Sequence, residues 1–201
     1  MDYMIRAMDK KHTFRLFMVR ATNTVEEARQ HHNTTPTASA ALGRTLIAGL
    51  MMGYMMKNEK DRLTININGG GPIGTILVVS DNSGHVKGYV GNPNVDLELK
   101  ENGKLNVGGA VGTQGKLTVM MDIGLKEPYV GSTDLVTGEI GEDIAFYYYL
   151  SEQQNTAVAL GVLVDIDYSI KAAGGFMVQT LPFIEEEDLV KLENTLNNLK
   201  S

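Results

Sequence analysis

The sequence predicts an α+β fold, and three observations lead there. Runs of β-branched or alternating residues bounded by turn residues open the chain and fill residues 63–124. An apolar segment at three- and four-residue spacing separates them, and helical and strand patterns then alternate as far as a leucine-striped end. At 201 residues, 43% hydrophobic and 21% charged, the chain is long enough for one large domain with its own core, and neither disorder nor a fibrous repeat is indicated.

Tyr3 to Met8 and Thr13 to Arg20 read as two strands of a hairpin across the polar DKKH. Thr24-Val25-Glu26-Glu27 has capping-box spacing, which predicts a short helix through Gln30. Pro36 and Thr37 open a second helix, where Ala38, Ala41, Leu42, Thr45, Leu46, Gly49 and Leu50 recur at helical spacing. Apolar on most sides, it belongs against a sheet. Its end, LIAGLMMGYMM, holds four of the chain's eleven methionines. Eleven residues fall short of the roughly twenty that a membrane span needs. Leu46 to Leu50 are expected in the core, with Met51, Met52, Met55 and Met56 toward an exposed end.

LTININ, IGTILVVSD, HVKGYVG and LTVMMDIG then read as strands, with turns at Asp81–Gly84 and Glu101–Lys104. The glycines of GGGPIG, GNP, GGAVG and YVG read as tight turns or bulges. Gly138 to Ser151 is helical, VALGVLVD and GGFMVQTLP are strands, and EEEDLVKLENTLNNLK carries Leu189, Leu192, Leu196 and Leu199 in one stripe. Pro182 marks a boundary before that last helix.

Charge and composition narrow the function. A net charge of −6 without a Lys/Arg block argues against a nucleic-acid partner. The first fifteen residues lack the apolar run of a signal peptide, so a cytoplasmic protein without a membrane partner is expected. Without cysteine, this chain makes no disulfide, thiol nucleophile or cysteine-bound zinc.

Motifs for chemistry are weak. GGGPIG formally satisfies G-x-G-x-x-G, with Asp96 downstream, but a β-branched run follows it where a helix is required, so a hairpin turn is the better assignment. His12, His31, His32 and His85 lack compact ligand spacing, and no metal site is expected. Glu139, Glu142, Asp143 and Glu152 are assigned to helix electrostatics rather than acid–base work. Tyr147 to Tyr149 fan out around a helix and suit packing. With no G-x-S-x-G, Walker loop or HExxH, no catalytic residue is assigned.

Several long blocks are recognisable together: PTASAALGRTLIAGLMMGYMMK (36–57), GNPNVDLELKENGKLNVGGAVG (91–112), LTVMMDIGLKEPYVGSTDLVTGEIGEDIAFYYYLSEQ (117–153), TAVALGVLVD (156–165) and AAGGFMVQTLP (172–182). They resemble the heat shock protein 33 family of bacterial redox-regulated holdase chaperones. The resemblance implies a layered β/β/α core domain with mixed sheets over residues 1–183. Residues 184–201 would then be the start of a helical linker, and a C-terminal domain would hold one zinc through four cysteines. None of those cysteines occurs here, so the chain is expected to be the family's N-terminal part; if the linker and zinc domain normally cover the client-binding surface, it should be active without oxidant. The implied function is ATP-independent capture of unfolding proteins under oxidative and heat stress, with a homodimer likewise implied. The expected client-binding patch is formed or covered by Met51, Met52, Met55, Met56, Leu189, Leu192 and Leu196. The competing functions are a structural dimerisation domain and a nucleotide-binding enzyme using the Gly-rich turns.

Overall fold

A computed structural model describes residues 1–182 and 184–198. The elements, in order, are β1 (Tyr3–Met8), β2 (Phe14–Arg20), α1 (Thr22–His32), α2 (Pro36–Tyr54), β3 (Arg62–Asn68), β4 (Ile76–Ser80), β5 (Val86–Val90), α3 (Val107–Val111), β6 (Lys116–Asp122), β7 (Tyr129–Asp134), α4 (Gly141–Ser151), β8 (Thr156–Val164), β9 (Ile170–Thr180) and α5 (Glu186–Asn197). They build a four-stranded sheet in the order β1-β2-β9-β8 and a five-stranded sheet in the order β5-β4-β3-β6-β7. The α+β class is as expected. The mixed sheets are not: every strand pair is antiparallel.

The layering also differs from β/β/α. Helices α1, α2 and α4 each contact strands of both sheets, so the order is sheet, helices, sheet. All of the nineteen residues of α2 except Pro36, Arg44 and Tyr54 are buried. A helix clamped between two sheets has no wet side, which is why its sequence is apolar nearly all round.

The first helix begins at Thr22, and the expected capping box does not form. Instead the Asp2 carboxylate accepts the Asn23 amide at 3.1 Å and the Thr24 amide and hydroxyl at 2.8 Å each. An ionised acceptor outcompetes a hydroxyl for free helix amides. Further along α1, Glu26 accepts two bonds from the Arg29 guanidinium, at 2.8 and 2.7 Å, and the Ile170 amide at 2.8 Å, tying the helix to β9. The Arg29 hydrogen bonds, helped by the Ile170 amide, outweigh burial and hold the Glu26 carboxyl down at about 2. A carboxyl lowered on folding stabilises the fold above its unfolded value, and that contribution is lost as pH falls through the folded one. Urea midpoints should therefore decline between about pH 4.5 and 2. The decline should flatten in Glu26→Gln; an unchanged slope would contradict the assignment.

GGGPIG joins β3 to β4, the hairpin read from the sequence, and it also cradles α3, which the sequence reading took for turns. The Gly71 amide donates to the Val111 carbonyl at 2.9 Å and the Ile73 amide to the Ala110 carbonyl at 3.1 Å. A Cβ on Gly69 would lie 2.2 Å from the Gly112 carbonyl oxygen, and one on Gly71 2.3 Å from that of Ala110. Glycine is required there because two backbones touch. Gly71→Ala should cost about 2 kcal/mol or more, since backbone must move to admit a methyl. Urea unfolding checks this, and a cost near zero would contradict it.

Candidate functional site

The outer face of the four-stranded sheet is the most distinctive apolar surface. Strand alternation sends Phe17, Val19, Met177 and Gln179 inward, where they are buried. Phe14, Leu16 and Met18 of β2 and Phe176 and Val178 of β9 therefore face the other way. Register aligns them in rows: Ile5, Met18, Phe176 and Ala159 form one, and Ala7, Leu16, Val178 and Ala157 the next. Each row crosses all four strands without a charge.

Helix α5 lies across this face. Leu192 and Leu196 close a cavity of about 500 Å³ against Phe14, Leu16, Met18, Phe176 and Val178. On the other flank, Leu189, Leu192 and Leu196 border a space of about 270 Å³ shared with Ala145, Tyr149 and Ala157. These three leucines are half-buried, Val190 faces solvent, and no residue of α5 reaches full burial. One ion pair, Lys11 to Asp188 at 2.7 Å, pins the first turn from the exposed β1–β2 turn. Exposed pairs contribute little, about 0–1 kcal/mol. The helix is thus held chiefly by partial burial of three leucines, on a surface it does not fill.

The sequence-predicted residues separate on this structure. Leu189, Leu192 and Leu196 come together on the sheet, whereas Leu199 lies outside the described residues, as does Phe183. Met51 and Met52, expected toward an exposed end, are 0% and 3% exposed, because the second sheet covers the side of α2 left free by the first. Met55 and Met56 are half-buried against the core, and the Met55 sulfur accepts the Tyr148 hydroxyl at 3.5 Å. None of these four methionines lines the cavities under α5; the methionine there is Met18.

The remaining candidates have structural partners. Asp143, almost fully buried, accepts the Val136, Thr137 and Ile140 amides at 2.7, 3.0 and 2.9 Å, closing the loop into α4. Glu139 lies ahead of the helix and bridges Arg44, Lys100 and the Gly108 amide. Glu152 accepts the Tyr147 hydroxyl at 2.6 Å. Burial first, and this carboxylate second, push the Tyr147 hydroxyl far above the ordinary tyrosine value. Tyr147 and Tyr148 are buried edge to face at 5.6 Å while Tyr149 is exposed, the fan expected of consecutive helical residues. His85 meets Asp81 at 3.1 Å. Among the described residues no group of three or more His, Asp or Glu side chains is placed to hold a metal. The zinc that the resemblance implies needs cysteine ligands, and this chain has none.

Known proteins agree with this architecture. The family model described as Hsp33 protein matches residues 2–201. The 33 kDa chaperonin of Alkaliphilus metalliredigens is 57% identical over 197 residues, covering 98% of this chain and 68% of that protein. That of Clostridioides difficile is 54% identical over 200 residues, covering 100% of this chain and 68% of its own length. The crystal structure of the 33 kDa chaperonin from Thermotoga maritima superposes with a TM-score of 0.94 at 42% identity, covering 98% of this chain and 68% of that one. A match along nearly the whole chain, relatives above half identity and one shared solved fold place this chain in the Hsp33 family.

Proposed function

We propose that this chain is a holdase, a chaperone that binds unfolding proteins through apolar surface and keeps them apart without nucleotide or turnover. The observation that carries the proposal is the pair of charge-free rows on the outer face of the four-stranded sheet, beneath a loosely seated helix. Docked, α5 covers Leu16, Phe176 and Val178 and leaves Met18 40% exposed at its border; undocked, it leaves an apolar sheet that an unfolded segment can cover instead. Binding the unfolded or partly folded state is sufficient to hold it off aggregation. Met18 suits such a surface because an unbranched thioether adapts to many shapes. Leu189, Leu192 and Leu196 act in this account as the cover.

Light scattering from a thermally unfolding enzyme tests the proposal. Residues 1–201 at equimolar ratio should suppress the scattering equally with and without reductant, since the chain has no thiol to respond. Unsuppressed scattering would overturn the holdase reading. A homodimer in the cytoplasm belongs to the same proposal and rests on the family alone. Sedimentation with and without residues 184–198 tests the assembly: a dimer that persists without α5 fits the reading, and a monomer at micromolar concentration removes it. The filled cradle at Gly69–Gly74 gives the nucleotide-enzyme alternative no support.

A further inference from the structure

One edge of the four-stranded sheet carries no guarding charge or proline, and its ladder is regular as far as Leu163, where a register irregularity precedes Val164. Strand β8 is terminal in the sheet order, nine residues long, and reads TAVALGVLV, with neither charge nor proline. Edge strands normally carry such residues to prevent pairing with other chains. Alternate residues of a strand turn their N–H and C=O groups to opposite sides, so β9 satisfies only half of those on β8. Among the described residues, no backbone hydrogen bond takes residues 157–164 to any partner but β9. Helix α4 starts beside Val158 and Leu160 and closes the first part of the edge, leaving the stretch after it open.

A second observation falls on the same stretch. A groove of about 1040 Å³ is lined by every residue from Ala159 to Ile166, so it follows the strand edge rather than one face. Its far wall comes from Pro36, Arg44, Leu99 and Leu105. Gly161 and Leu163 are exposed within it, and Ile166 is 97% exposed at its mouth. The charges are lopsided. Arg44 is paired with Glu139 at 2.6 Å and Asp165 with Lys171 at 3.5 Å, whereas Arg20 and Lys104 have no carboxylate partner among the described residues.

From the open backbone edge, the apolar groove beside it and the two uncompensated cations, we infer that β8 takes up an extended aliphatic segment of an unfolded polypeptide as a fifth strand, with an acidic residue next to that segment facing Arg20 or Lys104. The inference rests on the holdase reading and gives it a second, separate contact. Main-chain pairing supplies affinity regardless of sequence, and alternate side chains of the added strand enter the groove. At roughly 3.3 Å per residue, the open stretch accommodates about five or six residues. A holdase gains from this mode because every unfolded chain carries the same backbone.

The test uses the peptide acetyl-VTVLVTDE-amide with residues 1–201. It should bind in fluorescence anisotropy and shift the amide resonances of Ala159 to Val164. N-methylation of alternate amides along one edge of the peptide removes the donors facing β8 and should weaken binding at least about tenfold, while methylation along the other edge is tolerated. Leu163→Lys, at an exposed position, should lower affinity and leave the thermal midpoint unchanged. Equal binding by both methylated peptides, shifts confined to Leu16 and Phe176, or no binding despite full client protection would each overturn the strand-addition site and leave the holdase reading intact. Peptide binding with the predicted shifts but no protection of any unfolding enzyme would uphold the site and remove the holdase reading. Residues 159–164 protected from exchange by a second copy of the chain, without peptide, would overturn the proposed occupant.

Discussion

Replacing Leu192 and Leu196 together by aspartate should raise hydrophobic-dye binding and increase protection of an unfolding client. Each leucine contributes about 1 kcal/mol to docking, because only part of a side chain worth about 1.5–3 kcal/mol is buried. Loss of about 2 kcal/mol shifts the docking equilibrium of α5 roughly thirtyfold toward the open form. The carboxylates add to this through the cost of setting a charge against Leu16, Phe176 and Val178, a cost that Lys11 and Lys191 at the cavity's edge offset only in part. Val190→Asp is the control on the exposed back of the same helix and should change neither reading. If the double variant instead loses protection while staying folded, the leucines themselves bind clients and the sheet beneath them does not.

The largest stability effect should come from Glu139→Ala. This carboxylate joins four parts of the chain: Arg44 of α2 at 2.6 Å, Lys100 from the loop before α3, the Gly108 amide at 3.0 Å, and its own approach to α4. Only a fifth of its side chain is exposed. Removing it strands two cations in a half-buried site, which costs about 3 kcal/mol, the low end for a buried pair because some water reaches it. For a chain of this length that lowers the thermal midpoint by roughly 6–12 °C. Burial alone would raise the Glu139 carboxyl, but Lys100, Arg44 and the Gly108 amide together hold it below the ordinary glutamate value of 4.5. The pair's contribution is therefore complete above pH 4.5 and lost on acidification below it. Calorimetry at pH 7 checks the effect, and a midpoint lowered by less than about 2 °C would contradict it.

Most elements were legible because their burial is one-sided or complete. The hairpin of β1 and β2, the long apolar helix and the strands of residues 63–122 stand within a few residues of where their patterns place them. Elements without a clear apolar period were lost. Strand β7, YVGSTD, is a sheet edge with only Gly131 and Thr133 buried, and its glycine reads as a turn. Helix α3, VGGAV, is helical because Asn106 accepts the Gly109 amide at 3.0 Å and GGGPIG wraps it, neither of which propensity records.

The candidate site was half legible. The leucine stripe announced a face in need of a partner, but periodicity could not name that partner. A signal was present in β2: in FRLFMVR both alternating sets are largely apolar, the mark of a strand covered on two sides. Reading that pattern would have put Leu16 under a cover, with Met18 at its border, in place of Met51 and Met52. Those two methionines misled because an apolar helix end looks the same whether it faces water or a second sheet.

Photo-crosslinking tests the central claim most directly. With p-benzoylphenylalanine at Leu16 or Phe176 on the outer face of the four-stranded sheet, illumination with an unfolding client should give covalent adducts, and more of them after Leu192→Asp/Leu196→Asp. The same probe at Thr118 or Ser132, on the solvent side of the five-stranded sheet, should give none. Equal capture from both sheets, or capture from Thr118 alone, would contradict the account.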